Sequence, residues 1–269
     1  MRLSISHTTT YRYDNPVRHG LQELRLWPRF DPVQSVNEWH TELDGASHEL
    51  FFDDEYGNRV QLVTIEPDTT ETVVRAHGEV ETSDSAGVVA RHLGHTPLWF
   101  YDRPTDRTIA TAPIRKLAEA VAQIESDVER LHALSAEIRT RVDYRTGRSD
   151  VETTADEALA AGVGVCQDHA HIYLAAARGL GYPSRYVSGY LHMADEEQEA
   201  SHAWTESWIS GLGWVGFDVA NGISPDERYV RLAVGLDYRA AAPISGIRYG
   251  EGEESLSVSL EVRVGGGQQ

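Results

Sequence analysis

Gly162-Val163-Gly164-Val165-Cys166-Gln167-Asp168 is the stretch on which the reading of this chain turns. Its glycines permit a tight turn. The apolar residues that follow, Ala170, Tyr173, Leu174 and Ala177, recur at helical spacing until Gly179-Leu180-Gly181 ends the run. Cys166 therefore falls at the start of a helix, where free backbone N–H groups and the positive end of the helix dipole favour a thiolate over a thiol. The thiolate is a nucleophile. Free cysteines are also among the most deeply packed residues, and this stretch alone does not choose between the two roles.

Two segments downstream bear on that choice. Ser201-His202-Ala203-Trp204-Thr205-Glu206-Ser207-Trp208-Ile209 reads as a strand with a histidine at its start. An imidazole beside the thiol can take its proton and later return it to a leaving group. One histidine among the 12 present says little by itself. Gly213-Trp214-Val215-Gly216-Phe217-Asp218-Val219 follows after a short hairpin through 210–213 and sets Asp218 inside an apolar run. A carboxylate there is costly without a partner, and a protonated His202 is the natural one, oriented and stabilised by it.

These segments, taken in order, resemble the transglutaminase-like branch of the papain-like cysteine enzymes. Gly164-Val165-Cys166-Gln167-Asp168-His169-Ala170-His171 is similar to the bacterial version, as are Gly235-Leu236-Asp237-Tyr238 and Ala242-Pro243-Ile244-Ser245-Gly246. Tyr11-Arg12-Tyr13 and Gln22-Glu23-Leu24-Arg25-Leu26-Trp27-Pro28-Arg29 resemble the β-rich domain that precedes this core in bacteria. The resemblance implies Cys166 as nucleophile, His202 as general base and then acid, and Asp218 as orienter. It also places Trp204, Asp237 and Tyr238 along a substrate cleft. Two departures stand out: Val219-Ala220-Asn221-Gly222 where the family has Pro-Thr-Asn-Gly, and Leu236 where it has arginine. Acyl transfer also needs an oxyanion hole. The backbone N–H of Cys166 is one expected donor. Tyr144 is a candidate for the second, with a core role as the alternative, and Gln167 is expected to support the helix start.

Outward from the site, the chain reads as α+β. Leu3, Ile5, His7, Thr9, Tyr11 and Tyr13 keep period two, and further short strands follow around 26–28, 36–43, 50–52, 60–63 and 73–80, with Glu55-Tyr56-Gly57-Asn58 as a hairpin turn. An N-terminal antiparallel β-sandwich-like domain is expected over residues 1–105. The pattern breaks near His95-Thr96-Pro97. Ser126-x-x-Glu129 and Thr154-x-x-Glu157 are capping-box signatures ahead of helices. With the strands 185–191, 202–209 and 214–219 and an alternating strand from Leu256 to Val264, they assign residues 106–264 to a core in which the nucleophile helix packs on an antiparallel sheet. Residues 265–269 are a glycine-rich tail.

Composition limits the function classes. Hydrophobic residues make up 41% of the 269, enough for a real core. The net charge of −18 disfavours nucleic acid and anionic membranes as partners, because phosphate binding needs a clustered positive field. A single cysteine excludes an intrachain disulfide and a cysteine-clustered zinc site. His169 and His171 stand two apart on a helix and share no face, so no metal is expected, and no cofactor. The run Asp195-Glu196-Glu197-Gln198-Glu199 reads as a solvated loop or an acidic cleft rim. The N-terminus lacks the apolar core of a signal peptide, and no apolar run approaches the ~18 residues of a spanning helix, so the cytoplasm is the expected location. The expected activity is hydrolysis of a protein, peptide or small amide through a thioester. Transfer of the acyl group to an amine and a non-catalytic binding role are the alternatives.

Overall fold

The computed structural model describes residues 1–90, 92, 96–193 and 200–265. At its centre is a five-stranded antiparallel sheet of β13 (Tyr229–Gly235), β10 (Ser184–Leu191), β11 (His202–Ile209), β12 (Gly213–Phe217) and β7 (Val88–Ala90), in that order. Every residue of β10, β12 and β13 is buried, which a sheet achieves only when both faces are covered.

Helices cover one face. α4 (Cys166–Gly179) is buried along almost its whole length after Gln167. It packs among α1 (Ala112–Val121), α2 (Asp127–Arg141), α3 (Ala155–Ala161) and the sheet, in a cluster holding Leu117, Leu131, Ile138, Ile172, Tyr173 and Phe217. A helix apolar on all sides belongs inside, and the alanines at 170 and 175–177 let its neighbours approach closely. Burying each leucine or isoleucine here contributes about 1.5–3 kcal/mol. The caps read from sequence are present: Ser126 accepts from Glu129 N–H, and Thr154 and Glu157 form a reciprocal capping box.

Two four-stranded antiparallel sheets form the β-rich part. One orders β15 (Glu254–Val264), β1 (Arg2–Val17), β6 (Thr69–Thr82) and β3 (Gln34–Asp44). The other orders β14 (Ile244–Tyr249), β2 (His19–Leu24), β5 (Arg59–Ile65) and β4 (Ala46–Asp53). Leu3 and Ile5 on β1 turn inward at period two and meet Val74, Val80, Leu260, Leu24 and Val63. Tyr190, Val230 and Leu232 of the central sheet join the same cluster, so the β-layer grips the central sheet on this side. His7, buried on β1, hydrogen-bonds the Tyr190 hydroxyl at 2.8 Å across that junction.

Strand pairing corrects the expected division of the chain. Residues 244–264, assigned from sequence to the catalytic core, instead supply an edge strand to each N-terminal sheet: Leu3 faces Val264 and Leu24 faces Ile244. Conversely β7, from the expected N-terminal segment, pairs with β12 in the central sheet. Period two identifies a strand and the face it buries, but its partner is a long-range choice. The fifteenth strand of this chain returns to the first.

Candidate active site

The nucleophile candidate is positioned by a turn and a cap. α3 ends at Gly162, whose φ of 66° lies in the left-handed region that favours glycine. The chain then pairs briefly as β9 (Val163–Gly164) with β8 (Asp143–Tyr144), parallel, before α4 begins at Cys166. Asp168 anchors that start. Its Oδ2 accepts from the Val165 backbone N–H at 2.7 Å and from the Ser149 hydroxyl at 2.6 Å. Gly164 leaves the room: a Cβ there would stand 2.7 Å from Asp168 Oδ2. Burial pushes the Asp168 carboxyl up, against the pull of Ser149 and Val165. Cys166 itself is half-buried.

His202 opens β11 opposite Gly189 of β10. Its Nε2 donates to Asp218 Oδ2 at 2.6 Å, and Cys166 lies close enough to act on the same imidazole. Trp204, two residues on, lies stacked beside the ring with centroids 6.1 Å apart. Gly189 makes this possible, since a Cβ there would meet Trp204 Cη2 at 2.6 Å and the Val230 carbonyl at 2.0 Å.

Asp218 is fully buried at the end of β12, and four hydrogen bonds converge on it. Oδ2 accepts from His202, from the Asn221 amide at 2.7 Å and from the Tyr229 hydroxyl at 2.8 Å; Oδ1 accepts from the Asn221 backbone N–H at 3.1 Å. Burial alone would raise its pKa. The hydrogen bond and charge of His202, with Asn221 and Tyr229, hold it below the ordinary carboxylate value. For His202 burial works downward, but the hydrogen bonds to Asp218 and Cys166 and their charges raise it from 6.5 to about 10.

The linkage has a definite sign. A histidine raised on folding adds stability that is whole below its unfolded pKa of 6.5 and is lost as pH climbs through about 10. Asp218, lowered on folding, adds stability present above 3.8 and lost as pH falls through its folded pKa. Urea unfolding of the wild-type chain and His202→Gln, run in parallel, is expected to show a wild-type advantage that shrinks steadily from pH 6.5 to about 10. A gap that stayed constant across that range would mean the imidazole is not held charged.

The remaining residues singled out from sequence divide. Tyr144 is 54% exposed on β8, paired with Gly164 and stacked on His169 at 6.3 Å, which excludes a core role. Gln167 directs its amide toward the Asp150 and Val151 carbonyls at 3.5 and 3.4 Å, in keeping with support of the helix start. Tyr238 packs against the same apolar cluster as Cys166. Two cleft expectations are corrected. Trp204 is 1% exposed, sealed in by Gly189 and Tyr229, and Asp237 is buried as the N-cap of α5 (Tyr238–Ala241), 3.9 Å from Arg107. His169 and His171 point to different backbone groups, the Val142 carbonyl and the Tyr238 N–H. The acidic run 195–199 and His95 lie outside the described residues. No helix among the described residues is long and apolar enough to cross a membrane.

Asn221 and Tyr229 escaped the sequence reading as site residues. Asn221 stood within a quoted motif and carried a signal in its spacing, three residues past a buried carboxylate. Tyr229 carried none: it reaches Asp218 only through the pairing of β13 with β10.

A nucleophile-bearing helix packed on an antiparallel sheet, with histidine and aspartate on adjacent strands, defines the transglutaminase-like class of fold. Residues 115–219 match the transglutaminase-like superfamily and residues 3–81 match the bacterial transglutaminase-like N-terminal region. The chain belongs to the transglutaminase-like superfamily. An uncharacterised protein of Mycobacterium leprae (strain TN) is 31% identical over 276 residues, covering 97% of this chain and 98% of its own. A protein-glutamine gamma-glutamyltransferase of Pseudomonas aeruginosa is 33% identical over 98 residues, which are 32% of this chain and 15% of that protein. The crystal structure of a candidate cysteine protease from Cytophaga hutchinsonii superposes with a TM-score of 0.81 at 22% identity, covering all of this chain and 92% of that one. At that identity the likeness is one of fold.

Proposed function

We propose that this protein is a cysteine hydrolase of amide or peptide bonds, with Cys166 as nucleophile, His202 as acid and base, and Asp218 as orienter. The observation that carries the reading is the 2.6 Å bond from His202 Nε2 to a buried, fourfold-bonded Asp218, which holds an imidazole that Cys166 also acts on. In the first step Cys166 Sγ attacks the substrate carbonyl carbon, and the oxyanion is met by the Cys166 backbone N–H at the helix start. The imidazolium gives its proton to the leaving nitrogen as the C–N bond breaks, and a thioester remains. Water then adds to the thioester carbonyl. His202 takes the water's proton, the C–S bond breaks, and the acid product leaves with the thiolate–imidazolium pair restored.

Hydrolysis is favoured because Cys166 is half-buried rather than enclosed, which leaves water a route to the acyl-enzyme. A second reading, transfer of the acyl group to an amine, is supported by the match to the Pseudomonas aeruginosa gamma-glutamyltransferase. A panel of glutamine-containing peptides, with and without a primary amine, tests both. Hydrolysis predicts release of ammonia or peptide cleavage that an added amine leaves unchanged. Amine incorporation would make the protein a transferase, and silence in both arms would make it a binder.

A further inference from the structure

A cavity of about 1080 Å³ lies apart from the cysteine. β11 runs from His202, at the thiol, to Glu206 and Trp208, whose ladder partners Arg185 and Trp214 line this cavity. Neither Cys166, His202 nor Asp218 borders it.

Its floor is built from buried charge. Arg185 lies over the Trp214 ring at 4.0 Å and binds Glu206 at 2.6 Å. Arg231 binds Glu206 at 2.8 Å and also pairs with Asp31. Arg29, the last residue of the Leu26-Trp27-Pro28-Arg29 motif, differs: it donates to neutral acceptors, the Asn58 amide oxygen at 2.6 Å and the Gly57 carbonyl at 3.0 Å. Three guanidinium groups and four carboxylates, those of Asp31, Asp53, Asp54 and Glu55, line the cavity, and Asp31 is already paired with Arg231. Asp54, also at the edge, is committed to Arg25 and Asn58, and Asp53 and Glu55 are exposed at the mouth. Burial, then Arg231 and Arg185, lower Arg29 to about 10, against the opposing pull of Glu206 and Asp31. The walls are aromatic: Tyr101 meets Trp214 edge-on at 5.1 Å, and Phe100 and Tyr56 continue the surface.

A half-buried cation with no ion pair among the described residues is stabilised by an anion that reaches it, and a flat ring favours a flat apolar body. The two exposed carboxylates at the mouth repel a polyanion. We propose that this cavity binds a small monocarboxylate with a flat apolar body, its carboxylate on Arg29 and its body against the partly exposed ring of Phe100. The site is independent of the acyl-transfer reading.

Isothermal titration of the full chain with 4-phenylbutyrate, its neutral twin 4-phenylbutyramide and inorganic phosphate tests this. Phenylbutyrate is expected to bind at millimolar affinity or better, and the other two much more weakly. Arg29→Gln should weaken binding about tenfold or more, as loss of a charge-assisted hydrogen bond does, whereas Arg29→Lys should retain most of it. Arg29 also clasps the 54–58 turn, so Phe100→Ala, which leaves that turn intact, provides a second variant and should weaken phenylbutyrate binding as well. Binding should persist after alkylation of Cys166. Equal binding of the acid and its amide, equal binding of phosphate, no binding at all, or loss of binding on alkylation would each overturn the proposal.

Discussion

Cys166→Ala is expected to abolish turnover, by a factor on the order of 10⁶, the size of loss seen when a nucleophile is removed from a concerted triad. Its effect on stability should be small. The residue is half-buried and at the first position of α4, and the anchor of that helix start is Asp168, not the sulfur. Removing one partly exposed sulfur should change unfolding free energy by less than about 1 kcal/mol. The same residue offers a chemical test, because it is the chain's one cysteine. Iodoacetamide should inactivate the wild type with a single adduct per chain and leave Cys166→Ala unmodified. Activity surviving in the fully alkylated protein would remove Cys166 from the mechanism.

The three residues of the proposed triad stood out in the sequence because each sits in a local pattern with its own chemical reason: a helix start for the thiol, a strand start for the imidazole, an apolar run for the carboxylate. What surrounds them was less legible. Trp204 follows the histidine at period two, which puts it on the same side of β11, and a large aromatic next to a catalytic group reads naturally as cleft lining. It is instead sealed by the missing side chain of Gly189 on the neighbouring strand. Asp237 was read as a cleft residue from the resemblance of Gly235-Leu236-Asp237-Tyr238 to the family, whereas its carboxylate caps α5. The fold shows the same division. The alternation from Leu256 to Val264 identified a strand correctly, but its register against β1 depends on residues some 250 positions away. The departures Val219 and Ala220 prove harmless to the carboxylate, because its contacts in that loop come from Asn221, which is retained.

Asp218 separates structure from chemistry, and two substitutions do so in opposite proportion. In Asp218→Ala the hydrogen bonds from His202, Tyr229 and Asn221 lose their acceptor inside the protein, and the imidazolium loses its counter-charge. Breaking a buried pair in this way costs about 3–5 kcal/mol, so a large drop in urea midpoint is expected alongside loss of activity. Asp218→Asn keeps the shape and an acceptor oxygen but not the charge. Its stability should fall much less, while kcat should drop on the order of 10⁴-fold, as when a triad carboxylate becomes an amide. The discriminating readout is the titration of His202. With the carboxylate's charge gone, burial, which works to lower the imidazole, meets less opposition, so its pKa should move down from about 10. Proton NMR of the ring followed across pH would show that shift. A histidine that still titrated near 10 in Asp218→Asn would mean that the charge on Cys166 alone sustains the imidazolium, and Asp218 would then be a structural anchor for the loop at 218–223.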